Sequence, residues 1–145
     1  MNKTIAYRGK LDIDTEDRIK LSTLNGKTGY KINKFQIIST TPGGSNAELV
    51  GKIKNKSDNN IGPAVDFSDS ELLAVSYLAD RTTNEGSAET IIFDNKKFNQ
   101  DIFVAISDAT SGTVPANYYI ELEAMSLTDL ESTFLTLQNI KTISN

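Results

Sequence analysis

The densest group of side chains able to do chemistry lies near the N-terminus of this sequence. This acidic group consists of Asp12, Asp14, Glu16 and Asp17. Carboxylates that alternate along a loop can gather around calcium, which takes about six to eight oxygen ligands. The group lacks the glycine and the distal glutamate of an EF-hand loop, and strand-like alternation would send Asp12 and Asp14 to one side and Asp17 to the other. The pattern therefore favours a solvated turn, with a calcium site as the alternative.

Histidine and cysteine are both missing from the 145 residues. These side chains supply most general acid–base groups, nucleophiles and transition-metal ligands in enzymes. An enzyme built from this chain would have to work with carboxylates alone, and no pair among its 19 acidic residues stands out. We therefore expect no catalytic residues, no cofactor and no enzymatic activity.

One aromatic residue is placed in a way that suits sugar binding. Tyr119 precedes Glu121 by two positions, so both lie on one face of an expected strand, where the ring offers a stacking platform. Single exposed aromatic residues more often belong to interfaces. A carbohydrate-binding module for host-surface attachment, with calcium held by the acidic group, is nevertheless the alternative function that we carry forward.

Charge is distributed unevenly along the chain, whose net charge is −4. Residues 1–60 carry 11 Lys and Arg against 6 acids, and residues 61–145 carry 4 against 13. Either strands from the two parts lie side by side and cancel, or the fold presents opposite faces that favour head-to-tail packing of identical copies. We expect no nucleic-acid partner, because phosphate neutralisation needs clustered Lys and Arg. No window approaches the ~20 apolar residues that span a bilayer, so we expect no membrane partner.

Asn25-Gly26 is the clearest local signal in the chain. Both residues tolerate positive φ, so the pair predicts the type I′ turn of a two-residue hairpin. Closing the hairpin there places Leu21 opposite Tyr30 and Ile19 opposite Ile32. All four apolar residues then fall on one face, as a half-buried hairpin requires.

The next apolar positions change phase between Ile32 and Phe35, which predicts a β-bulge near Asn33-Lys34. Further strands are predicted over residues 48–54, 71–80, 89–94, 101–107 and 118–124. The stretch Glu71–Asp80 also fits a helix, because Ser68 and Glu71 stand at capping-box spacing. Its strand-rich surroundings favour a strand with both faces buried.

The last segment changes to a helical period. Thr128 and Glu131 stand at capping-box spacing and open it. An apolar stripe follows at helical intervals, made of Leu130, Phe134, Leu137, Ile140 and Ile143. The pattern predicts a short amphipathic helix over residues 129–143, packed on the rest of the domain or on a neighbouring subunit.

About eight short strands and one closing helix predict a single all-β domain over residues 1–145. We expect a β-sandwich of jelly-roll type with a short C-terminal helix. An immunoglobulin-like sandwich is the alternative, and strand count alone does not separate the two.

Two stretches of the chain resemble small virion proteins of marine tailed phages. The C-terminal stretch comprises Tyr118-Tyr119-Ile120-Glu121-Leu122-Glu123, Leu127-Thr128-Asp129-Leu130 and Thr136-Leu137-Gln138-Asn139-Ile140. The early stretch comprises Asn25-Gly26-Lys27-Thr28-Gly29-Tyr30, Ile32 and Phe35-Gln36-Ile37. About a third of the chain is involved.

The resemblance implies a capsid decoration protein or another head or tail subunit, often a jelly roll, with no catalytic residues to carry over. The expected function is therefore that of a non-enzymatic structural protein located in the virion. Its expected partners are further copies of itself, in a homo-oligomer, and other virion proteins, above all the major capsid protein.

Overall fold

A computed structural model describes residues 2–44, 46–82, 86–93 and 96–143 of the chain. The described residues form eight strands, all paired antiparallel, and one C-terminal helix. The strands are β1 (Lys3–Leu11), β2 (Thr15–Ile19), β3 (Thr28–Ser39), β4 (Glu48–Lys54), β5 (Leu72–Ala79), β6 (Ser87–Ile92), β7 (Ile102–Asp108) and β8 (Ala116–Ser126), and the helix is α1 (Asp129–Ile143).

The strands lie in two sheets, ordered β1-β8-β3 and β2-β7-β4-β5-β6. This confirms the predicted all-β sandwich with a short C-terminal helix. Apart from β6, the order is that of a jelly roll, in which β6 would lie beside β3. Here β6 pairs with β5, although the Thr90 hydroxyl in β6 donates to the Phe35 carbonyl in β3 at 3.0 Å. The order does not match an immunoglobulin-like sandwich, so that alternative is wrong.

Alternation of apolar and polar residues builds the core between the sheets. In β8, Tyr118, Ile120 and Leu122 are buried, whereas Tyr119 and Glu121 lie on the opposite, half-exposed face. Strand β7 contributes three side chains with no exposed surface, those of Ile102, Val104 and Ile106. Burying an aliphatic side chain of this size contributes about 2 kcal/mol, which explains why the alternation predicts these strands so well.

The predicted hairpin between β2 and β3 is wrong. Strand β2 pairs with β7 and β3 pairs with β8, so that Ile19 lies opposite Ile102 and Ile32 lies opposite Leu122. The four apolar residues expected on one face are all buried. They face the same core from opposite sheets, and period-two alternation has the same phase whether two strands pair or face each other.

The turn itself also differs from the expected type I′ geometry. Gly26 has a positive φ of 65°, but Asn25 is not among the described non-glycine residues with positive φ. The Asn25 side-chain oxygen instead accepts a hydrogen bond from the Lys27 N–H at 3.0 Å. Such an Asx turn bends the chain without the twist of a two-residue hairpin. The connection therefore carries the chain from one sheet to the other.

The predicted β-bulge in β3 is confirmed, although its partner is β8 rather than β2. The register of β3 against β8 shifts between Ile32 and Lys34. The extra residue, Asn33, returns the following apolar positions to the core, and Ile32, Phe35 and Ile37 are all buried.

Strand β5 confirms the predicted strand within residues 71–80, and it lies between β4 and β6. Its outer face belongs to a second small apolar cluster that contains Val50, Leu72 and Val75. The connection between β4 and β5 lies against this region, because Lys52 Nζ donates to the carbonyl of Ala64 and the Phe67 ring meets the Phe93 ring edge-on at 5.0 Å. The predicted strand over residues 89–94 corresponds to β6, and Asp94 lies outside the described residues.

The charge asymmetry along the chain is largely cancelled inside the fold. Bases from residues 1–60 pair with acids from residues 61–145 in the ion pairs Arg18–Asp101, Lys27–Asp129, Lys31–Glu123, Lys54–Asp69 and Lys56–Glu71. This agrees with the first of the two arrangements expected from the sequence, in which the two parts lie side by side. Head-to-tail attraction between basic and acidic faces is not needed to explain the charge pattern.

Candidate functional site

The structure does not bring the acidic group together. The Asp14 carboxylate accepts from the Ser107 hydroxyl at 2.7 Å, whereas Glu16 accepts from the Asp58 N–H at 3.1 Å. The Asp17 carboxylate accepts from the Tyr118 hydroxyl at 3.1 Å, and the Asp12 side chain is exposed. Among the described residues, no three His, Cys, Asp or Glu side chains are placed to hold a metal ion. The calcium alternative therefore loses its geometric basis.

Asp17 instead helps to close one end of the sandwich. Strand β2 carries Asp17 and β8 carries Tyr118, so their hydrogen bond crosses between the two sheets. Burial raises the pKa of Tyr118 to about 12, with further contributions from the charge and hydrogen bond of Asp17. Gly9 in β1 makes room for the ring, because a Cβ at that position would lie 2.9 Å from the Tyr118 side chain.

Tyr119 and Glu121 form the adjacent pair expected for a sugar platform. The Tyr119 hydroxyl donates to the Glu121 carboxylate at 3.2 Å, and this hydrogen bond raises the pKa of Tyr119. Arg8 and Gln36 flank Tyr119 in register on β1 and β3. A depression of about 510 Å³ lies there on the outer face of the three-stranded sheet, with Ile38 at its edge. Tyr118 and Tyr119 both line this depression.

The helix α1 spans the residues that the sequence predicts, and its capping box is confirmed. The Glu131 N–H donates to the Thr128 hydroxyl at 3.1 Å, and the Thr128 N–H donates to the Glu131 carboxylate at 3.2 Å. Two ion pairs tie the first turn to the body, Lys27–Asp129 at 2.7 Å and Lys97–Glu131 at 3.1 Å. Lys27 follows the turn at Gly26, and Lys97 lies in the segment that precedes β7.

The side of α1 that faces the sandwich is held by polar contacts. Asn99 is 1% exposed, and its Nδ2 donates to the Gly26 carbonyl at 3.0 Å and to the Thr136 hydroxyl at 3.1 Å. The buried Ser132 hydroxyl donates to the same Gly26 carbonyl at 2.9 Å. Together with half-buried Leu135 and Asn139, the residues of this side recur at helical spacing.

The apolar stripe of α1 points away from the body. Its exposed fractions are 81% for Leu130, 62% for Phe134, 60% for Leu137 and 56% for Ile140. The side chain of Ile143 lies outside the described residues. The expectation that the stripe packs on the sandwich is therefore wrong, and its packing on a neighbouring subunit stays a prediction. Polar residues on the other side of the helix take the place against the body because the surface beneath offers polar groups such as the Gly26 carbonyl.

A cleft rich in amides opens beside the C-terminal half of α1. It consists of two adjoining hollows that share Asn55, Gln100, Asp101 and Asn139, and the larger has a volume of about 430 Å³. The larger hollow is also lined by Arg18, Ser22, Lys56, Ser57, Asn59 and Phe103. We refer to the two hollows together as the amide cleft.

Asp101 lines both hollows of the amide cleft and accepts hydrogen bonds from three neighbouring residues. Its carboxylate accepts from the N–H groups of Leu21 at 2.8 Å and Ser22 at 2.9 Å, and from Arg18 Nε at 2.7 Å. Burial alone would raise the pKa of Asp101. The hydrogen bonds from Ser22, Leu21 and Arg18 outweigh it and lower the pKa from 3.8 to about 2. Asp101 is therefore a fixed anion at neutral pH rather than an acid or a base.

Sequence reasoning missed the amide cleft because its residues come from separated segments. Asn55 follows β4, Gln100 precedes β7 and Asn139 lies in α1. Amides occur throughout the chain and mark no site individually. One feature of the sequence does indicate that the apolar stripe of α1 faces outward. Ser132, Thr136 and Asn139 form a second stripe of hydrogen-bonding residues on α1, which can face the body instead.

Comparison with protein-family models and with curated proteins finds no match to this chain. Among the described residues, no helix has the length and apolar character needed to cross a membrane. The candidate sites therefore rest on the geometry of this chain. They are the outward stripe of α1, which is suited to association with another protein surface, and the amide cleft, which is suited to a polar ligand.

Proposed function

We propose that the chain is a non-enzymatic structural subunit of a tailed-phage virion, which self-associates through α1 and binds other virion proteins, with the major capsid protein as the main partner. The outward apolar stripe of α1 carries the self-association. The sequence resemblance and the sandwich fold support the virion role by analogy only, because a fold does not specify a function.

The area of the stripe matches what a specific interface needs. At 56–81% exposure, Leu130, Phe134, Leu137 and Ile140 present an apolar patch on the order of 500 Å², comparable to the largest patches on soluble monomers. Two such patches placed face to face would bury about 1,000 Å², the lower bound for a specific association. A second copy of this chain is therefore a sufficient partner for the stripe.

The spacing of the stripe also suits a helix partner. The first three members are separated by four and three positions, the spacing of the apolar seam in a coiled coil, and Ile140 follows three positions later. An isologous contact would bring the same stripe from both copies together around a two-fold axis. The contact buries no charged residue of the stripe, since all four side chains are apolar.

The helix is not free to bury the stripe by rolling over. Turning α1 about its axis would separate the Ser132 and Thr136 hydroxyls from their partners, and the buried Nδ2 of Asn99 would keep only the Gly26 carbonyl as an acceptor. Leaving a buried donor unsatisfied costs about 1–3 kcal/mol. The polar side of α1 therefore fixes the outward direction of the stripe.

Electron microscopy of native particles labelled with an antibody against the chain tests the virion role. We expect label on the head or tail, and we expect the purified chain to co-sediment with assembled capsids. A chain that never labels particles and shows no affinity for capsids would overturn the virion role, even if it self-associates through α1.

A further inference from the structure

The amide cleft offers a concentration of groups that both donate and accept hydrogen bonds. Asn55, Asn59, Gln100 and Asn139 each bring a carbonyl oxygen and an NH₂ group. The hydroxyls of Ser22 and Ser57 line the same hollow and also act in both directions. Neighbouring hydroxyls of a sugar have the same dual character, so each can pair with an amide. A phosphate or a carboxylate, in contrast, would leave the amide oxygens without donors.

One acceptor in the cleft lacks a donor. The Oδ1 atom of Asn55 is buried, and no group among the described residues donates to it. Buried polar atoms in folded proteins nearly always have a partner, so this atom calls for a donor from outside the chain. Asn55 lines both hollows, so this unpaired oxygen lies in the wall of the cleft.

Contacts within the cleft fix the position of Arg18 before any ligand arrives. Asp101 accepts a hydrogen bond from Arg18 Nε at 2.7 Å and makes an ion-pair contact with the terminal nitrogen of Arg18 at 2.6 Å. The guanidinium lies 5.9 Å from the centroid of the Phe103 ring, which gives the cleft one apolar wall. A guanidinium has five N–H donors, so Arg18 retains donors for a ligand. Such preorganisation lowers the cost of binding.

We propose that the amide cleft is a binding site for a neutral oligosaccharide and that it requires no calcium. Neutral saccharides fit the larger hollow because its two cationic side chains are compensated, Arg18 by Asp101 at 2.6 Å and Lys56 by Glu71 at 3.6 Å. The volume of about 430 Å³ lies in the range of small-molecule sites. The inference goes beyond the structural role and does not rest on self-association, because the cleft and the apolar stripe lie on opposite sides of α1.

Isothermal titration of the full chain with malto-, cello-, xylo- and chito-oligosaccharides, in buffer containing EDTA, tests the site. We expect at least one of these oligosaccharides to bind. The variants Asn59→Ala and Gln100→Ala should each weaken that binding at least tenfold. Gln36→Ala is the matched control, because it removes an amide from the outer face of the three-stranded sheet, and it should leave the affinity unchanged.

Circular dichroism of each variant shows whether its fold is retained, and exposed Asn59 offers a substitution that removes no described core contact. Binding that survives both Asn59→Ala and Gln100→Ala but is lost in Tyr119→Ala would place the sugar on the three-stranded sheet and overturn the inference. Absence of binding by every oligosaccharide at millimolar concentration, or binding that appears only when calcium is added, would also overturn it.

Discussion

The side-chain amide of Asn99 donates a 3.0 Å hydrogen bond to the carbonyl of Gly26 in the connection between the two sheets. The same Nδ2 also reaches the Thr136 hydroxyl of α1 at 3.1 Å. One buried amide therefore joins three separate segments of the chain. This junction determines which side of α1 meets the body, and hence which side faces outward.

Replacing Asn99 should loosen α1. Asn99→Ala removes the hydrogen bonds to Gly26 and Thr136 and a long one from Gln100, and it leaves a small void, so we expect a loss of about 1–3 kcal/mol in the free energy of unfolding. Asn99→Asp should cost more, because a carboxylate cannot donate to Gly26 or Thr136. Chemical denaturation measures both, with the exposed Asn117→Ala as the control. Equal stability of Asn99→Ala and Asn117→Ala would show that the junction does not hold the helix.

Comparing Gly26→Ala with Gly43→Ala separates the effect of crowding beneath α1 from the effect of backbone strain. A Cβ at Gly26 would lie 3.2 Å from Ser132 Oγ and 3.3 Å from Asn99 Nδ2, and φ is +65°. Gly43 has a φ of +75°, and a Cβ there would meet nothing within 4 Å. Both substitutions should cost about 1–2 kcal/mol in strain. Thermal melting should show a larger loss for Gly26→Ala than for Gly43→Ala, whereas equal losses would mean that α1 adapts freely.

Asp101 should make stability depend on pH in the acid range. Its pKa is about 2 in the folded chain and 3.8 ordinarily, so the folded state favours the charged form. The resulting stabilisation, about 2 kcal/mol, is complete above the unfolded pKa and is lost as the pH falls through the folded value. Denaturation of the wild type and Asp101→Asn should therefore differ at pH 7 and converge between about pH 4 and pH 2. A constant difference across that range would contradict this account of Asp101.

Tyr118 should titrate later than an ordinary tyrosine. Its pKa is raised from 10.0 to about 12, so the folded state favours the protonated phenol. The stabilisation is complete below pH 10 and is lost as the pH rises through 12. Ultraviolet absorbance should show a tyrosine that ionises near pH 12, and Tyr118→Phe should remove that step. An unchanged alkaline titration in Tyr118→Phe would show that Tyr118 is not the group responsible.

The sequence predicts elements well where one physical signal dominates. Alternation identifies β8, and the paired capping signals at Thr128 and Glu131 identify the start of α1. Which strands pair with each other is harder to predict from the sequence, because Ile19 and Ile32 show the same phase whether their strands pair or face each other across the core. That ambiguity explains why the prediction of a hairpin at residues 25–26 is wrong although the residues predicted to be buried are buried.

The candidate sites depend on contacts that no local pattern records. An apolar stripe on an amphipathic helix ordinarily marks the buried side, and α1 departs from this rule because Asn99 and Gly26 offer polar partners beneath it. The acidic group is close in sequence, yet its carboxylates bind separate partners such as Ser107 and Tyr118. Sequence proximity therefore predicts a site only when the fold turns the side chains toward one another.

Multi-angle light scattering on the purified full chain tests most directly whether the stripe of α1 is an association surface. The comparison uses the wild type, Phe134→Gln combined with Leu137→Gln, and Ile38→Thr as a control with 56% exposure on the outer face of β3. Glutamine retains helix propensity, so the double variant should keep its fold. We predict a dimer or larger oligomer for the wild type and for Ile38→Thr, and a monomer of 15.9 kDa for the double variant. A wild type that is monomeric at every concentration, or a double variant with the wild-type mass, would contradict the account.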